Sequence, residues 1–475
     1  MDGSSRLPDA SYYMALWGLE ERYGGMTTAV LARLDAFRSV AGVEADLLTY
    51  HYDEALDDVR TALIERGALS ASTRVRNLWE EVRGLTDEQL RAAIGFEGFT
   101  ESADGFAPLP RDASGPERLR VIQRDETGQA VQQDHYREDG TLVLSRVDRE
   151  FDDGVVRMFL CDTSGRPIGY WNRVRALYRL WLDTLPREPR AVIIVDSKTS
   201  ARHYPAYRRD DVAVIHMVHG SHLVSVKSDL ADVSPERRDA FENIDRYDAL
   251  VFLTERQRAD VAAHFPTTTP LHVCPNTVRA DPVEGVTRRE NRGIAVGRLL
   301  KHKRFGSAIE AVALATTWRS RPGLDIVGDG ERREVLEQVV RRLNLDKRVR
   351  FVGHVTDTAR WFAGASFMLL TSKREGFGLV IVEAMAQGCV PIAYDIRYGP
   401  SDIITDGVDG FLVPEGSKRL LGRAVKQFLA LPARRREAMR DAARRRARDY
   451  DAASHVATWS AIIESVWQSK ERRAS

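Results

Sequence analysis

The stretch Lys373-Arg374-Glu375-Gly376-Phe377-Gly378-Leu379-Val380-Ile381-Val382-Glu383-Ala384-Met385-Ala386-Gln387-Gly388 decides how the rest of the chain is read. It follows an apolar run, Phe367 to Leu370, with the length of a buried strand, and after Gly378 its apolar residues recur with helical spacing as far as Gly388. The expectation is a strand, a tight turn and a helix. Such a turn leaves the first N–H groups of the helix unpaired at its positive end, and Gly376 and Gly378 allow phosphate to approach the backbone closely. That predicts a diphosphate site. Glu375 and Glu383 stand just before the helix and about a turn inside it, so both carboxylates are expected to border one pocket. They read either as solvated helix-end charges or as acceptors for ribose and sugar hydroxyls. The second reading suggests a nucleotide diphosphate sugar.

Working outward, Glu-x7-Glu within EGFGLVIVEAMAQG, followed by Pro391 and the stretch Asp402 to Gly410, resembles the donor site of the family 4 retaining GT-B glycosyltransferases. The run Tyr394-Asp395-Ile396-Arg397-Tyr398-Gly399-Pro400-Ser401-Asp402 resembles, more narrowly, the poly(glycerol-phosphate) alpha-glucosyltransferases and related teichoic acid glycosyltransferases. The resemblance implies an α/β GT-B fold: two Rossmann-like domains facing a cleft.

The composition is compatible with this. The chain has 475 residues, enough for two or three cores, and 43% hydrophobic with 29% charged residues is ordinary for a soluble globular protein. A net charge of +1 gives no global pull toward nucleic acid or membrane. Cys161, Cys274 and Cys389 are scattered in apolar surroundings, which fits a reducing cytoplasm rather than a disulfide framework. Met1 to Asp9 carries no signal-peptide core, and no apolar run approaches the roughly 20 residues of a membrane span. The expected location is the cytoplasm, with peripheral contact at the inner face of the membrane as a further option.

Tyr12 to Leu19 reads as a first strand. Tyr23-Gly24-Gly25-Met26-Thr27-Thr28 then opens a helix to about Phe37. Leu47 to Tyr52 is a second strand, with helices at Asp57 to Arg66 and Thr73 to Arg83, the alternation of a doubly wound sheet. From about Leu85 the pattern changes to short extended segments: Arg118 to Gln123, Ala130 to Tyr136, Thr141 to Val147, Val155 to Leu160 and Pro167 to Trp171. Glu-Thr-Gly, Glu-Asp-Gly, Asp-Asp-Gly and Ser-Gly-Arg-Pro turns separate them. An antiparallel meander inserted in the N-terminal domain is expected, either as a surface decoration or as a platform for a homo-oligomer or acceptor.

A helix at Arg173 to Leu185 and strands at Ala191 to Val195 and Val212 to His216 restore the α/β pattern. His216, His219 and His222 follow at a strand's carboxyl end, where open α/β sheets bind ligands. No carboxylate or cysteine at zinc spacing accompanies them, so no metal is expected. Ala249 to Leu253 is a strand, and Thr254 caps the next helix. The polar run Ala280 to Arg292 reads as an interdomain linker. Gly293 to Val296 starts the second domain and leads into Arg298 and Lys303, either solvated or a clamp for diphosphate. Further strands precede Asp329-Gly330 and Gly353-His354-Val355. Near the C-terminus, Arg436, Arg440, Arg444 and Arg448 form an i, i+4 row, either a solvated face or a surface for a phosphate-rich polymer or anionic lipid.

The expected division is residues 1–84 and 172–287 as an N-terminal acceptor domain and 85–171 as the meander. Residues 288–449 form a nucleotide-sugar domain, and 450–475 a helix crossing back. The resemblance implies that Gly24 and Gly25 face the donor, that Gly376, Phe377, Gly378, Leu379 and Val380 hold the diphosphate, and that Glu383 meets the ribose. It implies that Val355 lies beside the nucleobase, and it matches His219, with His222 second, to the family's active-site histidine. It selects Arg298 and Lys303 as the clamp and Glu375 as partner of the sugar's 3- and 4-hydroxyls. The implied activity is retaining, metal-independent transfer of glucose or N-acetylglucosamine from a UDP-sugar, the donor substrate, to a polyol-phosphate polymer acceptor. O-Glycosylation of a serine-rich protein and a non-catalytic GT-B partner subunit are the alternatives.

Overall fold

The computed structural model describes residues 6–52, 55–110, 119–148, 156–224, 232–278, 281–318 and 320–474. Three sheets organise them. The N-terminal strands β1 (Ser11–Ala15), β2 (Ala45–Thr49) and β3 (Val75–Asn77) lie in one sheet with later strands. An antiparallel sheet then intervenes: β4 (Phe99–Thr100), β5 (Arg120–Arg124), β6 (Ala130–Tyr136), β7 (Leu142–Val147), β8 (Arg157–Cys161) and β9 (Pro167–Trp171). The chain returns through β10 (Ala191–Val195), β11 (Val212–Val218), β12 (Ala249–Phe252) and β13 (Leu271–Val273). A second domain follows, with β14 (Arg289–Val296), β15 (Gly323–Val327), β16 (Val349–Gly353), β17 (Ala365–Leu370), β18 (Val390–Asp395) and β19 (Phe411–Pro414).

The first sheet runs β13-β12-β11-β10-β1-β2-β3 and the second β16-β15-β14-β17-β18-β19, with every pairing parallel. Helices cover both faces, so strands such as Ala191–Val195 and Ala365–Leu370 are buried throughout and apolar almost without alternation. The strand order reverses between β1 and β10 and between β14 and β17. The carboxyl ends of those strands are where such sheets bind ligands.

The inserted sheet, ordered β4-β9-β8-β7-β6-β5, is the expected meander. It is built into the first domain: Val143, Leu144, Met158 and Trp171 share a core with Leu78 and Trp181, and the His135 ring stacks 4.1 Å from Trp79. Arg118 and the Asp-Asp-Gly turn lie outside the described residues.

Several expectations are corrected. Thr73 to Arg83 is not one helix: β3 pairs with β2 (Leu47↔Val75, Thr49↔Asn77), and Asn77 then caps the helix Leu78–Arg83, accepting from the Trp79 and Glu80 N–H groups. The polar run to Arg292 is not linker throughout, since its last residues begin β14. Arg289, Arg292 and Arg350 converge there on the buried Asp325 carboxylate, so the charges belong to a fork-and-carboxylate cluster rather than to solvent. The last helix, expected within 450–475, runs Ala452–Ala474. In the helix Ala433–Arg448, Arg440 is buried against Glu290, Glu437 and Ser366. Arg444 meets Glu437 and Asp441, and Arg446 donates to the Asp402 and Ile403 carbonyls. Of the row, Arg440 and Arg444 are thus engaged by the protein's own acceptors, while Arg448 is exposed.

The terminal helix crosses back to the first domain, burying Trp459, Ile463 and Val466, with Trp459 edge-on to Phe37 at 6.4 Å. A polar contact also joins the domains: Asp260 Oδ2 accepts from Arg397 Nε at 2.9 Å and from the Tyr398 hydroxyl at 2.8 Å. Burial raises the Asp260 carboxyl, but these two donors outweigh it and hold it below the usual range. Asp260→Ala is expected to cost about 1–3 kcal/mol at pH 7 and to enlarge the radius of gyration in solution scattering. Because the native value is lowered, the difference from wild type is full above the ordinary aspartate range and fades as pH falls through the native value. A loss unchanged at pH 3 would contradict this.

Candidate functional site

On the second domain, the helix Leu379–Ala386 follows β17 through a turn ending in Gly378, which caps it at φ 95°, a left-handed conformation suited to glycine. The Ile381 N–H returns to the Gly378 carbonyl, while the N–H groups of Gly378, Leu379 and Val380 have no acceptor among the described residues. Three open donors at the positive end of a helix make an anion cradle. Gly376 has a different reason for being glycine. A Cβ there would overlap the His219 carbonyl oxygen and stand 2.8 Å from the Gly220 Cα, so at this residue the two domains meet backbone to backbone. Phe377 is buried and packs on Tyr450 at 5.4 Å, fixing the turn from below.

Lys303 closes a short 3₁₀ turn after β14 and extends its Nζ to 2.6 Å from Glu375 Oε1, which also accepts from the Ser372 hydroxyl at 2.6 Å. The loop carrying Lys303 is tied to that carrying Glu375 by the Thr371 hydroxyl on the Lys303 carbonyl and by the Lys373 N–H on the His302 carbonyl. Arg298 is exposed, with no ion pair among the described residues. Its loop is held by the Leu299 N–H on the Asp329 carbonyl and interlocks with Gly328 and Gly330, where any Cβ would strike the Gly297 or Leu299 backbone.

On the first domain, Gly24 caps the helix Gly25–Ala41, so Gly25 already lies in its first turn. A Cβ at either glycine would meet open space. His219 lies one residue beyond β11, with Nε2 2.5 Å from Oδ1 of the buried Asp196. The three histidines do not converge. His216 is buried on the sheet with Nδ1 on the Val195 carbonyl, and His222 is buried between Phe241 and Tyr398 at 5.5 and 6.1 Å. Among the described residues no three His, Cys, Asp or Glu side chains gather as a metal site would require.

A cavity of about 1160 Å³ opens beside the cradle, lined by Tyr23, Thr28, Thr356, Leu379 and Glu383. Glu383 is set deeply enough that burial, with no cation to offset it, pushes its carboxyl up to about 7. Val355, the neighbour of the lining residue Thr356, is partly buried against the hydrophobic core. Glu375 is not among the residues that line this cavity; its Oε1 is engaged by Lys303 and Ser372. Sequence reasoning missed Asp196 and its partner Arg33. An aspartate directly after the apolar run Ala191–Val195 was a usable signal, whereas Arg33, in mid-helix, carried none.

Comparison with known proteins bears on the fold that carries this site. Residues 280–446 match the family described as glycosyl transferases group 1. The chain is 23% identical to poly(glycerol-phosphate) alpha-glucosyltransferase of Bacillus subtilis, over 88% of this chain and 70% of that protein. It is 22% identical to poly(ribitol-phosphate) alpha-N-acetylglucosaminyltransferase of Staphylococcus aureus, over 84% and 89% respectively. A crystal structure of an S. aureus TarM variant with fondaparinux, alpha-GlcNAc-glycerol and UDP superposes with a TM-score of 0.77 at 19% identity, covering 97% of this chain and all of that one. The two Rossmann-like halves therefore have the GT-B fold, and residues 280–446 carry the glycosyl transferases group 1 domain.

Proposed function

We propose that the protein is a retaining, metal-independent glycosyltransferase that moves glucose or N-acetylglucosamine from a UDP-sugar to a hydroxyl of a polyol-phosphate polymer. The observation that carries this reading is the anion cradle at Gly378, Leu379 and Val380, whose preceding turn carries Glu375 bonded to Lys303 and Gly376 against the His219 backbone. The polyol-phosphate specificity named for the two relatives supports the acceptor class. A UDP-sugar donor implies action in the cytoplasm.

In this reading the diphosphate rests on the helix N-terminus and between Arg298 and Lys303, the ribose reaches Glu383, and the base lies near Val355. The bond from the anomeric carbon to the β-phosphate oxygen breaks with its electron pair leaving on UDP. The incoming hydroxyl attacks from the same face, and its proton passes to the departing phosphate oxygen. Negative charge grows on the diphosphate as the bond stretches, and fixed N–H dipoles and cations stabilise it without reorganising. Glu375, held by Lys303 and Ser372, can still accept from sugar hydroxyls through its second oxygen.

Purified protein is expected to release UDP from UDP-glucose or UDP-N-acetylglucosamine with glycerol-phosphate or ribitol-phosphate polymer, and not with a serine-rich peptide. Turnover with the peptide alone would replace the acceptor class. Glu375→Ala and Lys303→Ala should each lower kcat/KM by about 10²–10³-fold with folding retained, and wild-type rates in both would remove these residues from the site.

Glu383→Gln tests a conflict between stability and binding. The native carboxyl is raised, so the stability it supports is present below the ordinary glutamate range and is lost as pH rises through about 7. The glutamine variant without ligand should therefore be the more stable by up to about 3 kcal/mol at pH 8 and no different at pH 4. Ribose hydroxyls donate best to the ionised form, so wild-type affinity for UDP-glucose should rise between pH 6 and 8, and the variant's should stay flat. Calorimetry and thermal melts measure both.

A further inference from the structure

His219, Asp196, Arg33 and Trp459 come from four parts of the chain: the loop after β11, the end of β10, the first long helix and the helix that crosses back. Asp196 is buried and divides its two oxygens. Oδ2 accepts from Arg33 Nη2 at 2.5 Å, and Oδ1 faces His219 Nε2 at 2.5 Å. Arg33 is also buried, with Nε 3.3 Å from the Met14 sulfur and its guanidinium 5.1 Å from the centre of the Trp459 ring. The Trp459 indole N–H donates in turn to His455 Nε2 at 3.1 Å.

A buried carboxylate facing only a histidine is poorly compensated; a guanidinium on its other oxygen keeps it charged. Burial pushes the Asp196 carboxyl up, but Arg33 and His219 outweigh it and hold it below the usual range. An ionised carboxylate can only accept, so the imidazole nitrogen facing it carries a proton. Neutral His219 is then protonated at Nε2 and presents a lone pair at Nδ1, which has no partner among the described residues.

We propose that Arg33 and Asp196 form a positioning pair that holds His219 as its Nε2-protonated tautomer, so that Nδ1 meets a hydroxyl of the sugar or acceptor as a hydrogen-bond acceptor. Trp459 seats the pair, which links docking of the crossing helix to the state of the imidazole. The inference rests on the proposed glycosyl transfer and on the match of His219 to the active-site histidine that the resemblance implies.

The test uses the full chain, Asp196→Asn, and the double variant Arg33→Gln with Asp196→Asn, which removes the unpaired buried charge. ¹⁵N spectra of histidine-labelled protein, assigned with His219→Asn, report the tautomer without substrate. Expected is an Nε2-protonated ring in wild type that changes to Nδ1-protonated in Asp196→Asn, where the introduced amide donates to the ring. In Asp196→Asn kcat should fall by about tenfold to a thousandfold with the UDP-sugar KM within about threefold. The double variant should regain melting temperature but neither kcat nor tautomer. Wild-type kcat in the double variant, or an Nδ1-protonated ring in the wild type, overturns the proposal. Absence of UDP-sugar turnover by the wild type fails the functional reading instead, while the spectra still judge the pair.

Discussion

The rest of the structure depends on a steric constraint at one residue. Gly376 lies so close to the His219–Gly220 backbone that no side chain fits, and this is where the loop after β17 meets the loop after β11. Because the contact is backbone to backbone, it fixes the separation of the anion cradle from His219 with little freedom for side-chain adjustment. The other cross-domain contacts act farther out: Asp260 with Arg397 and Tyr398, and the terminal helix with the first. They orient the domains about that point.

Much of this was legible in the sequence, for identifiable reasons. Central parallel strands, buried on both faces, announce themselves as unbroken apolar runs, and the turn at Gly376 to Gly378 combined glycines, strand and helix in one reading. The edge strand Val75–Asn77 did not, because three residues leave no periodicity and the capping side chain of Asn77 resembles any polar helix start. Nor could local pattern reveal that Gly376 serves the seam, since its neighbour there is 157 positions earlier in the chain at His219. Glu375 and Glu383 had the spacing to share a pocket. The spacing could not show that Glu375 is engaged by Lys303, a partner brought in by the loop after β14.

Arginine was the least legible residue type. From sequence, the polar run ending at Arg292 looked like linker and the run at Arg436 to Arg448 like a free basic face. In the fold, a planar fork with several donors can serve two acceptors together, as Arg292 does at Asp325 and the Arg348 carbonyl and Arg440 does at Glu290 and the Ser366 hydroxyl. The arginines are a structural resource, and their number says little about external polyanions.

The charges of the site are arranged for an incoming anion. Lys303 is held by Glu375, Arg298 has no ion pair among the described residues, and Glu383 is drawn toward its neutral form by burial. An anion on the cradle would meet fixed N–H groups and two cations, with one carboxylate engaged and the other partly protonated. Asp196 completes the pattern on the facing domain, because its charge is satisfied internally by Arg33 and contributes orientation rather than repulsion. Glu375, Glu383 and Asp196 are thus each neutralised or paired by the protein itself. In the function proposed above, the helix end and Lys303 supply the field that a departing diphosphate would meet, and Arg298, without an ion pair among the described residues, is available to join them.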